Sequence, residues 1–173
     1  MNRAAVFLDR DGVLCEEKGY LHTGDALSIF PFAAEAVRTL HDMGYLAVVI
    51  TNQSGVARGL LTEEDLKRMN RELQERTGVD AVYYCPHLEG ECGCRKPKTG
   101  MIDRAREDFD IELSRSWLVG DRASDIQTGI NAGIKTALLE SGYGMGKLEA
   151  DVKPDCVFAD LRAFVEFLKG ERK

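Results

Sequence analysis

Short apolar runs alternate with amphipathic stretches along most of the chain, and this rhythm limits the fold more than any other feature. The runs are AAVFL (4–8), LAVVI (46–50), AVYY (81–84), SWLVG (116–120) and IKTALLE (134–140), with CVF (156–158) as a sixth. Strands that are apolar throughout belong in parallel sheets covered by helices on both sides. The stretches between them supply those helices. AAEAVRTLHDMG (33–44) follows Pro31 and stops at Gly44. Thr62 offers an N-cap for a long helix with acids in its first turn and a solvated charged face, and Gly78 ends it. Further helices are expected over 99–109, over 124–133 with Gly133 as stop, and after Asp160. In the last, Leu161, Phe164, Val165 and Leu168 share one face, and only the tail GERK is expected to fray. A chain of 173 residues is long enough for one domain with a substantial core. The expectation is an α/β, Rossmann-like three-layer fold over 1–173, with a minimal cap after the first strand.

In open parallel sheets, ligands bind beyond the carboxyl ends of the strands. The first strand ends in LDRDG, presenting Asp9 and Asp11. The second ends in TNQSG: Thr51, Asn52, Gln53, Ser54 and Gly55. The third leads to Arg95 and Lys96, and the fourth ends in VGDRASD, with Asp121 and Asp125. Any one of these alone is an ordinary loop composition. Together, in this order, they gather carboxylates, a hydroxyl and a lysine on one edge. Carboxylates from separate strands repel unless a cation lies between them, and an oxygen-only ligand set suits Mg²⁺. A metal-neutralised Asp9 can attack phosphorus and form an aspartyl-phosphate. Asp11, two residues on, can protonate the leaving oxygen and then activate water. Thr51 and Lys96 can hold the phosphoryl oxygens.

The stretch YYCPHLEGECGCRKP (83–97) carries Cys85, His87, Cys92 and Cys94. Three thiolates and an imidazole close a tetrahedral Zn²⁺ shell with no open position, so a structural zinc-binding loop is expected. No Cys-x-x-Cys pair supports a redox reading, and a Cys92–Cys94 disulfide would be strained. Cys94 directly precedes Arg95 and Lys96, so the metal would fix the backbone that aims both cations. Cys15 and Cys156 read as small buried hydrophobes.

The segments VFLDRDGVL, ITNQSGVARG, CRKP and LVGDRASDI resemble the motifs of haloacid-dehalogenase-type phosphatases. With YYCPH and CRKPKTGM, the joint pattern is similar to the D-glycero-D-manno-heptose 1,7-bisphosphate phosphatase family, over about residues 5–140. The resemblance implies Asp9 as nucleophile, Asp11 as acid and base, and Thr51, Lys96 and Arg95 as phosphoryl stabilisers. It implies Mg²⁺ on Asp9, the Asp11 carbonyl and Asp121, with Asp125 orienting its neighbours. It also implies substrate contacts from Glu17, Lys18, Gly19 and Tyr20, from Thr51 to Ser54, and from Arg95, Lys96 and Arg122. The family pattern has lysine where this chain has Arg122, which keeps a cation but changes its hydrogen-bond geometry. The zinc loop is also shorter than in many relatives. The implied reaction is removal of the C7 phosphate from the sugar bisphosphate, in the synthesis of lipopolysaccharide or surface-glycan precursors.

Other readings stay open on the sequence. Histidinol-phosphate phosphatases form a related group that also carries a zinc loop. A phospho-signalling receiver would place an acceptor Asp after the third strand, where this chain has YYCPH. A zinc-binding interaction module without catalysis is the third alternative. The net charge of −6 argues against a nucleic-acid partner. No run reaches the roughly 20 apolar residues of a membrane span, and no signal peptide is evident, so a cytoplasmic location is expected. A monomer is expected because no long apolar stripe is evident. SGYGMGKLE (141–149) matches neither a dinucleotide nor a Walker phosphate loop and reads as a plain connection.

Overall fold

The computed structural model describes residues 3–144 and 151–171. Six strands form one parallel sheet: β1 (Ala5–Leu8), β2 (Leu46–Asn52), β3 (Ala81–Cys85), β4 (Trp117–Gly120), β5 (Lys135–Leu139) and β6 (Cys156–Phe158). Five helices connect or follow them: α1 (Ala33–Asp42), α2 (Glu63–Thr77), α3 (Gly100–Phe109), α4 (Ala123–Ala132) and α5 (Leu161–Glu171). The spatial order is β3-β2-β1-β4-β5-β6. The chain therefore reverses its winding between β1 and β4, which opens a crevice at their carboxyl ends.

Period-two alternation divides the core into layers. Val6 and Leu8 of β1, Ala47 and Val49 of β2 and Val119 of β4 face a cluster completed by α1, α2 and α5. Phe7, Val48, Ile50 and Leu118 face the opposite side, against Met101, Ile102 and Ala105 of α3. Ile126 of α4 packs with Leu138 of β5. The expected three-layer architecture is thus present.

Local chemistry sets the element ends. The Thr62 hydroxyl accepts the Asp65 N–H at 3.1 Å and caps α2. Gly78 closes that helix in the left-handed conformation, at φ +80°. The Asp160 carboxylate accepts the Ala163 N–H and caps α5. That helix carries through Gly170 to Glu171, further than the expected frayed tail, while Arg172 and Lys173 lie outside the described residues. Residues 145–149 of the SGYGMGKLE stretch also lie outside them.

Between β1 and α1 the described chain holds only isolated bridges, Asp11 with Cys15 and Cys15 with Ile29, so the cap is a loop. Cys15 is fully buried as expected, whereas Cys156, on the edge strand β6, is only half-buried. No helix is long and apolar enough to cross a membrane among the described residues.

Phe164 is fully buried, with ring centroids 5.5 Å from Trp117 and 5.7 Å from Phe158, both edge-on. Phe164→Ala is expected to lower unfolding free energy by about 3–5 kcal/mol. Urea titration checks this. A loss below about 1 kcal/mol would mean that α5 is not docked on the sheet as described.

Candidate active site

Strand register assembles the site. Leu8 lies opposite Val49 of β2 and Val119 of β4. Asp9, Thr51 and Asp121 follow those positions within two residues, so they come side by side at the carboxyl edge of the sheet. Asp125 comes from the first turn of α4 and reaches back to them. Its Oδ2 accepts the backbone N–H groups of Asp121 and Arg122, both at 3.2 Å. Its Oδ1 accepts from Lys96 Nζ at 2.6 Å.

Lys96 is buried at the centre. Its ammonium also donates to Asp9 Oδ1 and to the Ile50 carbonyl, each at 2.9 Å, so its three hydrogens are all engaged. Burial opposes its charge, but Asp125 and Asp9 outweigh burial and hold Lys96 above the ordinary lysine value. Asn52 fixes the lysine backbone: its Oδ1 accepts the Lys96 N–H at 3.0 Å and its Nδ2 donates to the Lys96 carbonyl at 3.1 Å.

A third carboxylate, Asp121, joins the two that pair with this ammonium: ligand atoms of Asp9, Asp121 and Asp125 all lie within 4.8 Å of one another. Burial foremost, then Asp9 and Asp125, push Asp121 up to about 8. Asp121 Oδ2 accepts the Tyr143 N–H at 3.0 Å, while its Oδ1 is buried with no hydrogen-bond partner. An orphaned carboxylate oxygen in an acid-rich pocket fits a hard divalent cation such as Mg²⁺. Glycine is required beside it. A Cβ on Gly12, at φ +84°, would lie 2.4 Å from Asp121 Oδ2, and one on Gly142 would lie 2.0 Å from it.

Asp11 is partly exposed at the cavity edge. Gln53 Nε2 donates to its Oδ2 at 2.8 Å and to Thr51 Oγ1 at 2.9 Å, tying the loop after β1 to the end of β2. The cavity of about 590 Å³ is lined by Asp9, Asp11, Thr51, Asn52, Gln53, Ser54, Lys96 and Asp125 at its base and sides. Glu17, Gly19, Tyr20, Arg95 and Arg122 also line it. Arg122 donates to Glu17 Oε2 at 2.7 Å and stacks 4.2 Å from the Tyr143 ring centroid.

Lys18 is placed elsewhere. Glu17 Oε1 accepts the Gly19 N–H at 2.6 Å, closing a tight turn that keeps Glu17 on the cavity. Lys18 leaves the other side of that turn and donates to Ser28. Sequence reasoning also passed over some residues now at the site. Glu89 and Gly90 of the cysteine loop, Lys98 and Ser124 line the cavity. Ser141 donates to the Gly12 carbonyl at 2.7 Å, so the loop after β5 braces the Asp121 pocket. Nothing in the glycine pattern of that loop announced the role.

The cysteine loop forms a second cluster. Cys85, His87, Cys92 and Cys94 present ligand atoms within 4.8 Å of one another. Sγ–Sγ distances are 3.4 Å for Cys85–Cys92 and 3.3 Å for Cys92–Cys94, and His87 Nδ1 lies 3.5 Å from Cys85 and 3.6 Å from Cys94. A tetrahedral zinc shell has ligand–ligand edges of about 3.5–3.8 Å, so the set fits Zn²⁺. All five cysteines are unbridged. Burial foremost pushes Cys85 up to about 12. Against burial, hydrogen bonds from Cys94 and the Arg95 backbone draw Cys92 down to about 6. Gly100 opens α3 directly against this loop, where a Cβ would lie 2.5 Å from the Gly93 carbonyl oxygen.

The chain is similar to known proteins along most of its length. A family profile described as HAD-hydrolase-like matches residues 93–164. A D-glycero-D-manno-heptose-1,7-bisphosphate 7-phosphatase of Thermosynechococcus vestitus is 40% identical, over 97% of this chain and 96% of that protein. A D-glycero-alpha-D-manno-heptose-1,7-bisphosphate 7-phosphatase of Campylobacter jejuni is also 40% identical, over 80% and 83%. The crystal structure of D,D-heptose 1,7-bisphosphate phosphatase from B. bronchiseptica, complexed with magnesium and phosphate, is 33% identical. It superposes with a TM-score of 0.85 over 97% of this chain and 99% of that one. On this identity and coverage, the chain belongs to the D-glycero-D-manno-heptose-1,7-bisphosphate 7-phosphatase family of HAD-like hydrolases.

Proposed function

We propose that this phosphatase hydrolyses the C7 phosphate ester of D-glycero-D-manno-heptose 1,7-bisphosphate through an aspartyl-phosphate on Asp9. The C1 phosphate would be retained in the product. The carrying observation is the buried Asp9–Lys96–Asp125 lattice opening onto a cavity edged by Asp11. Family membership supports the substrate class.

Each residue takes a role that follows from its contacts. Lys96 holds Asp9 Oδ1, which leaves Oδ2 to attack phosphorus. As the new P–O bond forms, the bond from phosphorus to the sugar oxygen breaks, and Asp11 gives its proton to that oxygen. The Asp11 carboxylate then takes a proton from water as the water oxygen attacks phosphorus. The P–O bond to Asp9 breaks, and inorganic phosphate leaves with Asp11 reprotonated. Mg²⁺ held by Asp9, Asp121 and the Asp11 carbonyl would neutralise the carboxylates and polarise the phosphoryl group. Asp125 spends its oxygens on protein donors, so its role is to orient Lys96 and the Asp121 backbone.

Thr51 and Lys96 would stabilise charge on the phosphoryl oxygens. At the mouth, Arg95 and Arg122 supply cations, with Glu17, Gly19, Tyr20, Gln53 and Ser54 beside them for the sugar. Asn52 serves mainly as the clamp on the Lys96 backbone. Lys18 has no part in this reading.

Zinc on Cys85, His87, Cys92 and Cys94 would be structural, since no coordination position stays open. Arg95 donates to the His87 carbonyl at 3.3 Å and Lys98 to the Cys92 carbonyl at 2.5 Å. The loop is therefore wired to the cations that flank Lys96.

The substrate reading is tested by steady-state kinetics on the α and β heptose 1,7-bisphosphates and on histidinol phosphate, identifying the product's remaining phosphate. The expected outcome is a kcat/KM at least about 100-fold higher for one heptose anomer than for histidinol phosphate, with 1-phosphate product. Preference for histidinol phosphate, or release of the C1 phosphate, would contradict it. For the loop, zinc removed by chelation with Mg²⁺ restored should lower both melting temperature and kcat. A metal-analysed, zinc-free sample with full activity would contradict the supporting role.

A further inference from the structure

The residue between the two motif aspartates carries the largest fully buried side chain described in the protein. Arg10 is completely enclosed, and a guanidinium keeps its charge at any working pH, so it must find acceptors. Asp11 is the carboxylate that pairs with it. Arg10 Nε donates to Asp11 Oδ2 at 3.2 Å, and Nη2 donates to Oδ1 at 3.3 Å. Nη1 donates to Asn70 Oδ1 at 3.0 Å, on the buried face of α2. The Arg10 carbonyl accepts the N–H groups of Leu14 and Cys15 at 3.0 and 3.2 Å, which pins the turn carrying both aspartates. Arg10 therefore grips Asp11 from the core side, while Gln53 reaches it from the loop after β2 and Cys15 Sγ lies 3.5 Å away.

A two-point fork does what a single charge cannot: it fixes the plane of a carboxylate as well as its position. We propose that Arg10 is a positioning residue, and that its guanidinium, braced by Asn70, holds the Asp11 carboxylate where it meets the leaving oxygen. This rests on the reading of Asp11 as acid and base.

Leaving-group dependence tests the proposal. kcat/KM reports steps up to formation of the phosphoenzyme. p-Nitrophenyl phosphate has a leaving group that departs without a proton, whereas the heptose bisphosphate has an alkoxide that needs one. Arg10→Met should lower kcat/KM on the sugar bisphosphate by about 100-fold and on p-nitrophenyl phosphate by less than about fivefold. Arg10→Lys restores charge without the fork and should keep a split in the same direction. The ratio of the two rates is independent of the fraction of enzyme that is folded, so lost stability alone leaves it unchanged. If Arg10→Met does not fold, Asn70→Leu decides: it removes the brace, keeps the ion pair, and should still split the substrates several-fold.

Asp11→Asn is measured alongside. Absence of a split in Asp11→Asn would mean that Asp11 is not the acid, and both readings would fall. A split in Asp11→Asn with parallel losses on both substrates in the Arg10 and Asn70 variants would overturn the positioning role alone.

Discussion

One buried ammonium holds the working edge of this protein together. Lys96 Nζ touches Asp9 from β1, Asp125 from α4 and the Ile50 carbonyl of β2. Each of these groups would be costly to bury alone, and removing one member of such a set typically costs about 3–5 kcal/mol. The geometry of the proposed nucleophile is therefore inseparable from the placement of the lysine. Delivering that lysine requires the chain to leave β3, loop outward and return over the end of β2. The Asn52 clamp fixes its backbone, and the cysteine cluster joins the end of β3 to the returning part of the loop just before Lys96. The two devices meet within two residues of each other, at Cys94 and Lys96.

A second constraint is the surplus of negative charge. Asp9, Asp121 and Asp125 crowd together, only Asp9 and Asp125 pair with the ammonium, and Asp121 keeps a buried oxygen unpaired. The backbone around it is stripped of side chains at Gly12 and Gly142, and the loop after β5 closes over it through Ser141 and Tyr143. Space, oxygen donors and unbalanced charge coincide at one point, which is what a divalent cation requires.

Much of this was legible before the fold was known. Apolar runs gave the strands to within about two residues because buried parallel strands have no polar face to blur the pattern. Thr62, Gly78 and Gly133 marked helix ends through chemistry that is purely local. Asp9, Thr51, Lys96 and Asp121 could be grouped because the carboxyl edge of a parallel sheet brings distant sequence positions together. Arg10 was missed for the opposite reason. An arginine in a motif loop reads as exposed, and only the fold shows it turned inward to meet Asn70 of α2. Lys18 lies outside the cavity lining because a single tight turn at Gly19 decides which side of the chain faces the cavity, and that turn is not legible in the sequence. Asn52 lines the cavity as its place in the motif implies, and its clamp on the Lys96 backbone is a further role that no sequence pattern distinguishes from ligand binding.

The covalent route through Asp9 is the centre of the account, and trapping it is the most direct measurement. Enzyme mixed with heptose 1,7-bisphosphate and Mg²⁺ is quenched in acid within one turnover, digested, and mapped by mass spectrometry. The account predicts a single phosphoryl group on the peptide containing Asp9, appearing before free phosphate and decaying as phosphate is released. Free phosphate formed with no phosphorylated peptide at any time, or with the group on another residue, would contradict it.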